Sequence, residues 1–218
     1  MKFHHTLLLA AALGLGAQAQ ATNLISNGSF EIGTPVGNMG DNASQQIWGG
    51  NNTTLPGWSV IGGDIAWIGS GNPYQITASH GNNFLDLTGW HAGGSGAGVT
   101  QSINTVAGGH YQLSFDIGNS FNYNYHTQDS LLVSAGNLQQ VVTTTQQDSA
   151  SSWEHVTFNF IAQSNHTDIS FSGQQAIWYI GLDNVSVNAV PEPETYAMMG
   201  LGLSALVALQ RRRRKTVA

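Results

Sequence analysis

The sequence predicts an all-β chain whose body is an antiparallel β-sandwich, and three observations carry that prediction. Apolar and polar residues alternate at period two, glycine-rich turn words recur between the alternating runs, and residues 22–190 contain no sustained helical period. In "HYQLSFDIG", Tyr111, Leu113, Phe115 and Ile117 alternate with Gln112, Ser114 and Asp116. In "WEHVTFNFIA", Val156, Phe158, Phe160 and Ala162 repeat the pattern. Further strands are expected at 24–29, 58–61, 65–68, 83–88, 98–103, 130–135, 139–144, 168–172 and 181–187. The words "AGG", "SAGN" and "GGSGAG" separate them as turns.

Both ends of the 218-residue chain read as addresses. Lys2 precedes an apolar run over 6–15, followed by Ala17-Gln18-Ala19-Gln20-Ala21. That is the layout of a cleaved secretory signal peptide over residues 1–21, with the cut after Ala19 or Ala21. The body then spans 22–189 and a sorting tail spans 190–218. Residues 195–210 carry no charge and would make a helix of roughly 24 Å. This is short but usable for a bilayer core of about 30 Å. Arg211, Arg212, Arg213, Arg214 and Lys215 follow at once, so a single transmembrane helix would keep them in the cytoplasm with the body outside.

All six basic residues lie in these two ends. Residues 22–190 hold ten acids and no Lys or Arg, a formal charge of −10. Such a body cannot neutralise phosphates, which argues against nucleic acid and anionic membrane surfaces as its partners. Any buried carboxylate in it must be held by backbone N–H groups, hydroxyls, water or a metal ion. Among metals, calcium prefers the oxygen ligands available. The absence of cysteine excludes disulfides and thiolate metal sites.

Val190-Pro191-Glu192-Pro193, an apolar stretch and an arginine cluster, in that order, resemble a PEP-CTERM sorting signal. The resemblance implies that an exosortase, a membrane protease-transpeptidase, processes the chain at Pro191, Glu192 and Pro193. It also implies a Gram-negative host that makes extracellular polysaccharide, transient residence in the inner membrane, and a final place at the cell surface or in the matrix. A plain membrane anchor is the alternative.

Within the body, "NLISNGSFE", "LPGWSV", "GNNFLDLTG", "GVTQSINTVAGGHYQLSFDIG" and "IGLDNVSV" occur in the order seen in galactose-binding-like jelly rolls, which the body resembles over about 23–188. That family includes carbohydrate-binding modules, in which the first and last strands meet and commonly share a structural calcium ion. Glu31 and Asp183 are the matching positions. The resemblance therefore implies Ca2+ at these two carboxylates; backbone hydrogen bonds to both are the other arrangement open to them.

Catalytic motifs are lacking: there is no HExxH, G-x-S-x-G or P-loop. The pair Asp64 and Asp86 could be nominated for a glycoside hydrolase, since such pairs are defined by distance in space. Sugar binding instead needs aromatic platforms with amides and carboxylates beside them. "TGWHAGGSGAG" offers Trp90 and His91, and "GNSFNYNYHTQD" sets Tyr123 and Tyr125 among amides including Asn119. Trp58 and Trp153 each begin a strand and are expected to pack in the core or at an edge. The expected function is non-catalytic polysaccharide binding, against the alternative of a self-associating matrix protein.

Overall fold

The computed structural model describes residues 22–34, 43–73, 76–89, 96–119, 130–144, 152–174, 179–191, 200–202 and 204. Its strands are β1 (Ser44–Ile47), β2 (Ser59–Ile61), β3 (Ile65–Gly69), β4 (Asn83–Asp86), β5 (Gly98–Asn104), β6 (His110–Asn119), β7 (Ser130–Ala135), β8 (Leu138–Thr143), β9 (Ser152–Ile161), β10 (His166–Gly173) and β11 (Gly181–Ala189). They form two antiparallel sheets, ordered β1-β3-β4-β11-β6-β9 and β2-β5-β10-β7-β8. Only the β3–β4 and β7–β8 connections stay within one sheet, so the chain winds between layers as a jelly-roll sandwich.

The alternation read from the sequence is the one that fills the core. Leu113, Phe115 and Ile117 of β6 face Leu131 and Val133 of β7 and Phe171 of β10 within a single apolar cluster. Trp58 lies buried between Phe30, 5.4 Å away, and Phe171, 6.3 Å away. Its indole Nε1 donates to Asn27 O at 3.0 Å. Burying an aromatic side chain of this kind stabilises by about 2–3 kcal/mol, provided its polar atom finds such a partner.

Two expectations need correction. Residues 24–29 are not a strand: Asn27 and Phe30 take φ of 52° and 55°, a conformation that breaks a ladder. The segment still runs beside β11, through Leu24 N to Val187 O at 2.8 Å and Val185 N to Gly28 O at 2.9 Å. Asn23 Oδ1 takes the N–H of Val187 at 3.0 Å, and the β11–β6 register shifts between Asp183 and Ser186. Conversely, β1 was not expected, because "SQQI" shows no apolar alternation. It forms by pairing with β3, Gln46 opposite Ala66 and Ile47 opposite Ile65.

The strand ends sort the connections. β4, β6, β8 and β10 finish, and β5, β7, β9 and β11 begin, at one end of the sandwich. The turns 105–109, 136–137 and 162–165, and the exit of β11 toward Pro191, are at the other. Among the described residues no helix is long and apolar enough to cross a membrane. The signal peptide, Glu192, Pro193, the arginine cluster and most of the 195–210 span lie outside the described residues.

Candidate functional site

The outer face of the six-stranded sheet carries the polar chemistry of the body. Register places Gln46, Ala66, Asp86, Gly181, Gly118 and Trp153 in one row across its six strands. A second row on the same face includes Asp183, Asp116 and His155. Leu85, Leu182 and Ile117, between the rows, point to the core.

Trp153, on the edge strand β9, packs half-buried against a second apolar cluster of Ala66, Ile68, Ile76 and Phe84, and its ring lies across the two glycines of its row. A Cβ on Gly118 would stand 2.7–2.9 Å from three of its ring atoms, and one on Gly181 2.8 Å from the nearest. Only glycine lets the indole lie this close to the sheet. Phe84 braces it edge-on with centroids 5.5 Å apart, and Nε1 donates to Thr77 O at 2.9 Å. The ring thus reaches β11, one strand (about 4.8 Å) from Asp86 on β4.

Asp86 is buried, and three donors converge on its Oδ1: Thr88 N at 3.0 Å, Thr88 Oγ1 at 2.8 Å and Ile180 N at 3.2 Å. Among the described residues Oδ2 accepts no hydrogen bond. Burial outweighs those donors and pushes the carboxyl up to about 7, with the charge of Asp64 adding to the rise. Asp64 takes the amide of Gln46 at 2.8 Å and adjoins Gly89, from which the chain enters 90–95. The nominated pair Asp64 and Asp86 is therefore brought together, at the end of the sandwich where Trp153 lies.

Glu31 and Asp183 meet the same loop, residues 79–83, rather than bare solvent. Glu31 Oε1 accepts the N–H groups of Asn82 at 2.8 Å and Asn83 at 2.6 Å, and Oε2 the amide of Asn83 at 3.3 Å. Asp183 is fully buried; Oδ2 accepts His80 N at 2.8 Å and Oδ1 accepts Asn184 N at 2.6 Å. Its carboxyl is pushed up to about 7, by burial first and by the nearby charge of Asp116 as well. Asp116 in turn holds Ser79 Oγ, the amide of Asn184 at 3.1 Å and His155 Nδ1 at 2.6 Å. These carboxylates face N–H and O–H donors, which is how a body without Lys or Arg can bury them. Among the described residues no three His, Asp or Glu side chains form a metal-holding group. The described residues fit the hydrogen-bonded arrangement.

Sequence reasoning missed the seat of Trp153 on Gly118 and Gly181 and the Asp116–His155 pair. Their signal was two glycines and two outward-facing residues, which become neighbours only through strand register. Trp90, His91, Tyr123 and Tyr125 lie outside the described residues, as does the side chain of Asn119. The described residues flanking their loops, Gly89 and Gly96, Asn119 and Ser130, stand at the same end as Trp153 and Asp86. There Gly96 N donates to Gly173 O at 2.7 Å and Gln174 N to Ser130 O at 2.9 Å. A cavity of about 480 Å³ opens in the β3–β4 loop, lined in part by Ser70, Asn72, Ile76 and Thr77. The amide of Asn72 is committed there to Gly69 O and Ile76 O, at 3.0 and 2.8 Å, so it serves the loop.

Several solved structures are similar to the chain at low identity. One is TmCBM61 in complex with β-1,4-galactotriose, 16% identical over 78% of this chain and 100% of that one, with a TM-score of 0.45. A second is a family 16 carbohydrate-binding module, 16% identical over 76% and 99% of the two chains, TM-score 0.43. A third, the CBM22-1 xylan-binding domain of Paenibacillus barcinonensis Xyn10C, is 13% identical over 68% and 94%, TM-score 0.42. No curated protein sequence matches the chain. The PEP-CTERM protein-sorting motif matches residues 189–214, the stretch read from its Pro-Glu-Pro step. Over residues 23–188, nearly the whole sandwich, the chain belongs to the family described as protein of unknown function DUF642.

Proposed function

We propose that this protein is exported, processed by an exosortase at Pro191-Glu192-Pro193, and binds polysaccharide without catalysis at the cell surface or in the extracellular matrix. The observation that carries the binding reading is the Trp153 ring on its glycine bed, one strand from Asp86, whose Oδ2 accepts no hydrogen bond among the described residues. An indole face suits the apolar face of a pyranose, and a carboxyl beside it suits the hydroxyls. Trp90, His91, Tyr123, Tyr125 and Asn119 are proposed as further contacts, supported by loop anchors that share this end. Affinity electrophoresis of Trp90→Ala, Tyr123→Ala and Trp153→Ala variants tests the assignment. Each should lose about tenfold or more in retention; calcium-dependent oligomers that survive all three would instead establish a self-associating matrix protein.

The Asp64–Asp86 pair favours one second reading, a polysaccharide hydrolase, because one of its carboxyls is held near neutral pH while the other is close by. Release of new reducing ends, abolished by Asp86→Asn, would establish it.

Structural calcium at Glu31 and Asp183 belongs to the proposal through the family resemblance, and would have to displace the N–H donors described above. Glu31→Ala strips two N–H groups of their acceptor, so a loss of about 2 kcal/mol is expected. With the hydrogen bonds alone at work, thermal melts show the same loss in calcium and in chelator. A loss confined to calcium buffer would establish the shared ion.

A further inference from the structure

The chain leaves the sandwich with no slack. β11 ends at Ala189, Val190 N donates to His110 O at 2.9 Å, and the sorting motif begins at 189. Four residues, 191–194, separate this last bonded residue from the uncharged stretch 195–210. The five residue steps from Val190 to Thr195 reach at most about 18 Å when fully extended. In an anchored precursor, the exit end of the sandwich is therefore held against the bilayer.

That end differs from the rest of the body. The segments 104–110, 136–137, 161–166 and 189–191 contain no Asp or Glu, although the body holds ten. They do contain three large exposed apolar side chains: Val106 is 67% exposed, Ile161 38% and Val190 41%. Two of them are joined through the backbone, since Ile161 is the cross-strand partner of His110, whose carbonyl holds Val190. The turn bearing Val106 is fixed by Tyr111 Oη, which accepts Val106 N at 2.8 Å, and by Gly108 N to Ala162 O at 2.8 Å. A body of charge −10 is repelled by anionic lipid, and the repulsion is smallest where acids are missing.

We infer that this end, with Val106, Ile161 and Val190 at its centre and His110 and His166 at its rim, seats on the lipid surface of the membrane while the precursor is anchored. The contact is apolar and enforced by the short tether, so it needs no basic patch. It points the Trp153 end outward, leaving that face accessible before processing. The inference rests on reading 195–210 as the membrane anchor.

The chain has no cysteine, so single labels are clean. Full-length chains bearing Val106→Cys, Ile161→Cys or, at the far end, Thr143→Cys are labelled with an environment-sensitive dye. They are then reconstituted in phosphatidylethanolamine–phosphatidylglycerol vesicles that contain nitroxide lipid. The dyes at 106 and 161 should be blue-shifted and quenched severalfold more than the dye at 143. Chains that float with the vesicles but show equal quenching at all three positions would overturn the seating. Chains that do not float would overturn the anchor reading and the seating with it.

Discussion

Raising the pH from 5 to 8 should destabilise the sandwich by about 3 kcal/mol or more, a loss measurable by urea unfolding at the two pH values. The cause is the pair of buried carboxyls, Asp86 and Asp183, each pushed from an ordinary 3.8 up to about 7. A carboxyl raised in the folded state binds its proton more tightly there than in the unfolded chain. Its contribution is therefore complete below about 3.8 and is lost as the pH rises through about 7. Asp86→Asn separates the two groups. The amide oxygen can keep all three donors of Oδ1, and Nδ2 replaces the oxygen that has no partner among the described residues. This variant should be more stable than the native chain at pH 8, by about 1–3 kcal/mol, and should show a flatter profile. An unchanged slope would mean that Asp86 is ionised in the folded state at neutral pH.

The second large effect concerns the aromatic platform. Gly118→Ala and Gly181→Ala each put a methyl group where the Trp153 ring now lies, within 3.0 Å of its atoms. The ring is a side chain and can lift off, so the expected cost to stability is moderate, about 1–3 kcal/mol. The expected cost to binding is larger, about tenfold or more, because the indole face no longer lies flat beside Asp86. Retention on polysaccharide and a thermal melt, run on the same samples, check both halves. Unfolding at room temperature would show instead that the glycines serve packing alone.

How much of this was legible depends on which physical signal each element leaves in the sequence. Period-two alternation marks strands that bury one face, so β6 and β9 were read almost to their ends. β1 leaves no such mark, because an edge strand of "SQQI" takes its conformation from its pairing with β3. The segment 24–29 looks like a strand because Leu24 and Ile25 are apolar, but the positive φ of Asn27 turns it into an irregular rail along β11. Glu31 and Asp183 were read as meeting, and both do hold one loop, 79–83. The donors they meet there could not be read, since backbone N–H groups carry no sequence signature. Trp153 was read as core or edge packing. Its position over Gly118 and Gly181 follows from a register that pairs residues far apart in the chain.

Polysaccharide recognition by the Trp153 end of the sandwich is decided by a pull-down of purified residues 22–190 on insoluble and matrix polysaccharides, with Trp153→Ala alongside. Retention on one or a few polymers is expected, competed off by the matching oligosaccharide and lost in the variant. Retention on none, or retention that Trp153→Ala leaves intact, would contradict it.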